Sequence, residues 1–331
     1  SGRIAPTSNT SLHTLLRAWC TCLISGAHAT WQFLPQRLRT EARDLIELVL
    51  APGLASVLPW PWCFAIFKRL ARVRWLYGAA CAQALEQAQA RGQVAEGDAA
   101  RWLAVRRLVT LVDHADHYLA VSRSNAWMQR HLTVHGQWPS PENSGILCTF
   151  HWGAGMWALR HASSSGLRIH ALVASMEGTP FAGRTILHWY VRARTRSVGH
   201  ALGRAPLVVS GSLRPVIQAL RRDEQVLAAV DVPSDQVSAS VPICLRGMAA
   251  RVPKGLLRLA VDYKVPVTVY VTGLNAHNGQ RSLRIVQLGA WDDLDALVAA
   301  VFGHLETALC EDAAAWHFWG ESHRFFQCAT P

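Results

Sequence analysis

At 331 residues the chain can bury a sizeable core, and its net charge of +11 calls for an anionic partner: phospholipid head groups, an acidic carrier protein or the phosphates of CoA. Nucleic acid ranks last, because the arginines are spread along the chain and no recognition module is visible. A content of 50% hydrophobic and 17% charged residues with 14 tryptophans exceeds that of an ordinary soluble domain, which points to surface meeting lipid, an acyl chain or a partner. The 8 cysteines are scattered, and no second pair completes a zinc site around Cys20 and Cys22; reduced core thiols in a cytosolic protein are expected.

The chain opens Ser1-Gly2 without a methionine, as a trimmed or tagged start would, so a longer natural N-terminus is compatible with it. Leu12, Leu15, Leu16, Trp19 and Leu23 with His13 and Arg17 predict an amphipathic helix and turn within residues 11–34. Residues 45–67 are long enough to span a bilayer, but Pro52, Pro59 and Pro61 break the run. A broken, interfacial arrangement fits better, with Trp60, Trp62 and Phe64 beside Lys68, Arg69, Arg72 and Arg74; a buried helical hairpin is the competing arrangement.

Residues 76–136 read as helices, one over 79–90 and a second from about residue 96 with Trp102, Leu103, Val105, Leu108, Val109, Leu111 and Val112 on a broad apolar face. Pro139, Pro141, Asn143 and Gly145 mark a linker. The chain is therefore expected to divide into an N-terminal helical, membrane-associating region (1–140) and an α/β region (141–331), packed as one unit. Strands over 145–150, 168–174, 225–230, 241–245, 266–272 and 282–288 alternate with helices near 154–164, 180–198, 212–222, 254–263 and 294–309. That alternation predicts an α/β fold with a mixed, mostly parallel sheet flanked by helices.

The first of these strands delivers His151 to a glycine turn, Trp152-Gly153-Ala154-Gly155, where a helix begins at Met156. Ligands gather at the carboxyl ends of parallel strands, so an imidazole there is well placed for chemistry. Neither a dinucleotide loop nor a phosphate loop is present, and there is no Gly-x-Ser-x-Gly elbow. His114 and His117 supply only two ligands, so no metal is expected, and no cofactor.

Six features recur in a fixed order: His151-x-Gly153; the basic stretch Arg192, Arg194, Arg196; Leu213-Arg214-Pro215 with the helix after it; Asp231-Val232-Pro233; Val241 to Gly247; and Ala313 to Trp319. Over about residues 60–326 this order resembles the lysophospholipid acyltransferase superfamily, in particular the late acyltransferases of lipid A biosynthesis. The resemblance implies a glycerolipid acyltransferase-like fold and transfer of an acyl group from an acyl-carrier-protein or acyl-CoA thioester to a hydroxyl or amine of a lipid-like acceptor. It also implies peripheral binding at the cytoplasmic face of an inner membrane. In the family's His-x4-Asp/Glu motif the histidine is the general base and the carboxylate orients it. A free imidazole, with a pKa near 6.5, suits that proton transfer.

At the acid position of that motif this chain has Met156, and no carboxylate lies between Glu142 and Glu177. Three arrangements answer this: Asp231 or Glu177 substitutes, His151 acts alone against a backbone carbonyl or water, or the site is degenerate and the protein binds lipid or acyl-carrier protein without turnover. The resemblance further implies that Trp152, Gly153 and Met156 line the substrate site. It places Arg192, Arg194 and Arg196 on acceptor phosphate or donor, although alternate helical residues do not share a face. Arg246 precedes Met248 to Lys254, where the family lines the cleft near the acceptor; Arg251 and Lys254 there either extend the positive surface or belong to a mere helix start. The abundance of tryptophan and the missing acid suggest a specialised pigment, polyketide or aryl-type acyl chain.

Overall fold

The computed structural model describes residues 35–174, 181, 183–209 and 212–326. The helix expected within residues 11–34 lies outside them, as does Glu177. The described chain begins with helices α1 (Gln36–Asp44), α2 (Ala51–Val57), α3 (Trp60–Leu70), α4 (Gly78–Ala90), α5 (Ala99–Ser122) and α6 (Asn125–Arg130). A seven-stranded sheet follows, in the order β1-β9-β8-β2-β5-β3-β4. Its strands are β1 (Leu132–His135), β2 (Gly145–Thr149), β3 (Ile169–Ala174), β4 (Leu207–Val209), β5 (Gln225–Ala229), β8 (Val267–Leu274) and β9 (Arg281–Gly289). A separate antiparallel hairpin joins β6 (Ser240–Leu245) to β7 (Met248–Pro253). The remaining helices are α7 (Met156–Ser164), α8 (Thr185–Leu202), α9 (Arg214–Leu220), α10 (Gly255–Asp262) and α11 (Leu294–Asp312).

Strands β8, β2, β5, β3 and β4 run parallel, whereas β9 is antiparallel to β8 and parallel to β1, so the sheet is mixed and mostly parallel. Its central strands are mostly apolar, as strands covered on both faces are. Successive side chains alternate between two cores: Ile146, Cys148, Val226 and Ala228 join the α9–α11 layer. Leu147, Leu227 and Tyr270 join the layer built from α3, α5 and α7. Helix α5 contributes to both, Trp102 and Val109 to the first and Leu111 and Leu119 to the second.

Three strands escaped the sequence. Strand β1 belongs to a stretch expected to be helical, and its four residues make the edge of the sheet against β9, so the sheet draws on both sides of the boundary at residue 140. Strand β4 is only three residues long. Strand β7 takes up Met248 to Pro253, expected to line a cleft or start a helix; there Arg251 donates to the Ser240 hydroxyl at 3.1 Å.

The aromatic run of α3 is also placed differently from its interfacial expectation. Trp60 and Phe64 are buried, and only Trp62, at 63% exposure, faces outward. Helical periodicity explains it: residues 60, 64 and 67 share one face and position 62 lies opposite. That inner face meets a buried ion pair. Arg281 of β9, 2% exposed, forms a forked pair with Asp116 of α5, and its guanidinium lies between the rings of Trp60 and Trp157, 4.4 and 4.1 Å from their centroids. Trp60 also donates its indole N–H to the Gly279 carbonyl at 3.2 Å. The helical region and the sheet are thus bound through a charge that water does not reach. No described helix is long and apolar enough to cross a membrane.

Breaking such a pair from one side strands the other charge. Asp116→Ala should therefore lower unfolding free energy by about 3–5 kcal/mol, measured by urea denaturation. A loss below about 1 kcal/mol would show that Arg281 does not depend on Asp116.

Candidate active site

Strands β2 and β5 are parallel neighbours in register, Thr149 opposite Ala229, and the ladder continues one step with the Val230 N–H on the Thr149 carbonyl at 2.9 Å. His151 and Asp231 each lie two residues past that register pair, so equal extensions of adjacent strands bring them together. The Asp231 carboxylate, 1% exposed, accepts the His151 backbone N–H with both oxygens at 2.9 Å. Its Oδ1 also faces His151 Nδ1 at 2.9 Å. A carboxylate only accepts, so Nδ1 carries the hydrogen and Nε2 is left with its lone pair. The imidazole is 40% exposed, within reach of a ligand from outside.

The C-terminal segment completes the arrangement. Trp316, buried, donates its indole N–H to Asp231 Oδ2 at 2.8 Å. Its backbone runs against the turn after β2, with the Gly153 N–H on the Ala315 carbonyl at 3.0 Å and the His317 N–H on the His151 carbonyl at 2.8 Å. The Phe318 ring lies 4.2 Å from the His151 ring, centroid to centroid. Trp316 and Phe318 belong to the Ala313 to Trp319 motif, but nothing in their spacing discloses which carboxylate or imidazole they meet.

Trp152 and Gly153 form the turn. The Trp152 side chain is buried, and its carbonyl accepts from the Thr272 hydroxyl at 3.2 Å. Gly153 has φ +57°, and an added Cβ would lie 3.1 Å from Thr272 Oγ1, so a side chain there is both strained and crowded. A cleft of about 520 Å³ opens beside these two residues, walled by Asn275, Ser282, Arg284 and Glu311; neither His151 nor Asp231 lines it.

The remaining expected site residues are distributed elsewhere. Met156 is buried in the core at the first turn of α7, beside Trp157 and Leu159. Arg194 turns inward: one guanidinium nitrogen donates to both Asp113 carboxylate oxygens at 2.7 and 2.9 Å, and the other donates to the Tyr190 hydroxyl at 3.1 Å and the Asp113 carbonyl at 3.2 Å. That engagement leaves its fork with protein partners in place of a substrate phosphate. Arg192 and Arg196, four residues apart, occupy the exposed face of α8. Arg246 occupies the β6–β7 turn with φ 50°; its N–H meets Glu306 Oε1 and its guanidinium Cys310 Sγ, both 2.6 Å away on α11. It is not brought to the His151–Asp231 pair.

Below the site lies a polar group that composition alone does not disclose. His114 Nδ1 is 2.6 Å from the Tyr190 hydroxyl, and His317 Nε2 is 2.7 Å from the Gly153 carbonyl. Burial pushes His114 down to about 3 and His317 down to about 4, against the pull of Asp113. His117 is likewise pushed down to about 4, by burial and then by Arg194. Burial raises Asp113, but the charge and hydrogen bond of Arg194 together with His317 and His114 outweigh it, and the carboxyl ends below its ordinary range.

Searches of the sequence against protein-family models and against curated proteins find no match.

A free histidine takes up its proton near pH 6.5, whereas folded His117 does so only near 4. Acidification between those values favours the unfolded chain, which binds the proton first. His117→Phe, which keeps the ring packing on Tyr118 and Tyr190, should therefore lose less stability than the wild type between pH 7 and pH 5, by about 2 kcal/mol. Equal losses in urea titrations at the two pH values would show that His117 titrates like a free side chain.

Proposed function

We propose that the protein is an acyltransferase in which His151 is the general base and Asp231 replaces the acid absent at position 156. The observation that carries this is the His151–Asp231–Trp316 constellation at the carboxyl ends of β2 and β5. The acyl donor is an acyl-carrier-protein or acyl-CoA thioester, and the acceptor is a hydroxyl or amine of an amphiphile.

The chemistry follows from the tautomer. With Nδ1–H committed to Asp231, Nε2 takes the acceptor's proton as its oxygen or nitrogen attacks the thioester carbonyl. A new C–O or C–N bond forms, and the tetrahedral intermediate collapses with loss of the C–S bond. The thiolate leaves and recovers the proton from the imidazolium. Asp231 stabilises that cation and Trp316 fixes the carboxylate, so no covalent enzyme intermediate is required. The cleft beside Trp152 offers amide, hydroxyl and carboxylate groups to a polar head group.

Net charge +11 suits an anionic donor or surface. Exposed Trp62 and Trp75 with exposed Arg69, Arg72 and Arg74 supply an aromatic and basic patch for peripheral association with the cytoplasmic face of an inner membrane. A pigment, polyketide or aryl-type chain remains part of the proposal for the acyl group.

Thiol release from lauroyl-CoA and lauroyl-acyl-carrier protein, with a total lipid extract as acceptor, provides the assay. His151→Ala should fall to background, and Asp231→Asn should lose about 10²–10⁴-fold in kcat with a smaller change in KM. Equal rates in wild type and His151→Ala would remove the enzymatic assignment.

A further inference from the structure

Trp316 and Phe318 reach the site on a stretch of chain that is only short 3₁₀ turns, Ala313–Ala315 and His317–Arg324. Such a stretch does not fix its own backbone to the tolerance a three-way hydrogen bond needs. The inner face of α5 supplies the anchor. Arg106, 7% exposed, donates one guanidinium nitrogen to the carbonyls of Ala314, at 3.0 Å, and Trp316, and the other to the His317 carbonyl at 3.0 Å. Among the described residues it forms no ion pair, unlike Arg194 and Arg281. A buried guanidinium whose hydrogen bonds all go to one four-residue backbone segment is costly to desolvate, and a hydrophobic side chain could have filled the same space at less expense.

The three bonds bracket Trp316. Its own carbonyl and those on either side of it in the segment are held from α5, while its indole reaches the opposite way to Asp231. We infer that Arg106 is a positioning residue: by fixing the 314–317 backbone it holds the Trp316 indole on Asp231, and through Asp231 it orients His151. The fork matters, because the three carbonyls are reached from two separate nitrogens, whereas a lysine offers its donors from a single one. Asp312 and Asp113 are the carboxylates whose fields bear on Arg106.

The kinetic consequence rests on the acyl-transfer proposal, whereas the structural one does not, so two readouts separate them. The first is hydrogen exchange at the Trp316 indole, assigned by its disappearance in Trp316→Phe. In the wild type it should be protected, and in Arg106→Gln it should exchange at least about tenfold faster. The Trp60 indole, bonded to Gly279, should be unchanged and reports that the fold is intact. The second is a double-mutant cycle on thioester turnover. Arg106→Gln and Trp316→Phe should each lower kcat about 10- to 100-fold with KM within about twofold. The double variant should fall no more than about threefold below Trp316→Phe, because the two act on one bond. Arg106→Lys should recover part of the loss, and it takes the place of Arg106→Gln in both readouts should that variant not fold.

Unchanged Trp316 exchange in the Arg106 variants would overturn the inference, as would additive losses in the cycle. A wild type without turnover would instead sink the acyltransferase assignment and leave Arg106 to be judged on exchange alone.

Discussion

A single carboxylate ties the molecule's chemistry to its fold. Asp231 leaves β5 at the level where His151 leaves β2, and it receives the His151 backbone N–H, the His151 ring and the Trp316 indole. Those donors come from the end of β2 and the C-terminal segment, and the acceptor from the end of β5, so the bonds that meet the imidazole also close the top of the sheet. The carboxylate is 1% exposed, and a charge so buried stands only where donors converge on it. The geometry and the stability of the site are therefore one property, and substitutions at Asp231 or Trp316 act on both.

The rest of the fold positions this convergence by a second buried charge. The Asp116–Arg281 pair, between the rings of Trp60 and Trp157, locks the helical region to β9. Helix α5 carries Arg106, Asp113 and Asp116 on its buried faces, one charge toward the C-terminal segment, one toward α8 and one toward β9. A helix packed on several sides has no solvated face to which these groups can retreat, so each finds a partner inside.

The amphipathic and alternating patterns made the α/β architecture legible, because the central strands are apolar and bounded by turn residues. The short β1 and β4 were not legible: a four-residue strand with one buried side chain and a strand of three residues carry no period. At the site, His151 could be read from its place between a strand and a glycine turn. Asp231 could be read only as a strand-end carboxylate, since register between strands 80 residues apart leaves no trace in local sequence. Arg194 looked like one of three equivalent arginines; helix geometry turns it inward to Asp113 and its neighbours outward. Met156, conspicuous because it stands where the resemblance places a carboxylate, is an ordinary core residue, and the carboxylate that meets His151 comes across the sheet instead of along the helix.

The contact of Asp231 Oδ1 with His151 Nδ1 requires the neutral imidazole to carry its hydrogen on Nδ1 and leaves Nε2 free to accept a proton. The ¹⁵N shifts of the His151 ring, read at a pH where the imidazole is neutral and assigned with His151→Ala, report this tautomer directly. The Nδ1–H form should dominate in the wild type and give way to a mixture in Asp231→Asn. A wild-type ring protonated on Nε2, with Nδ1 bare, would contradict the account.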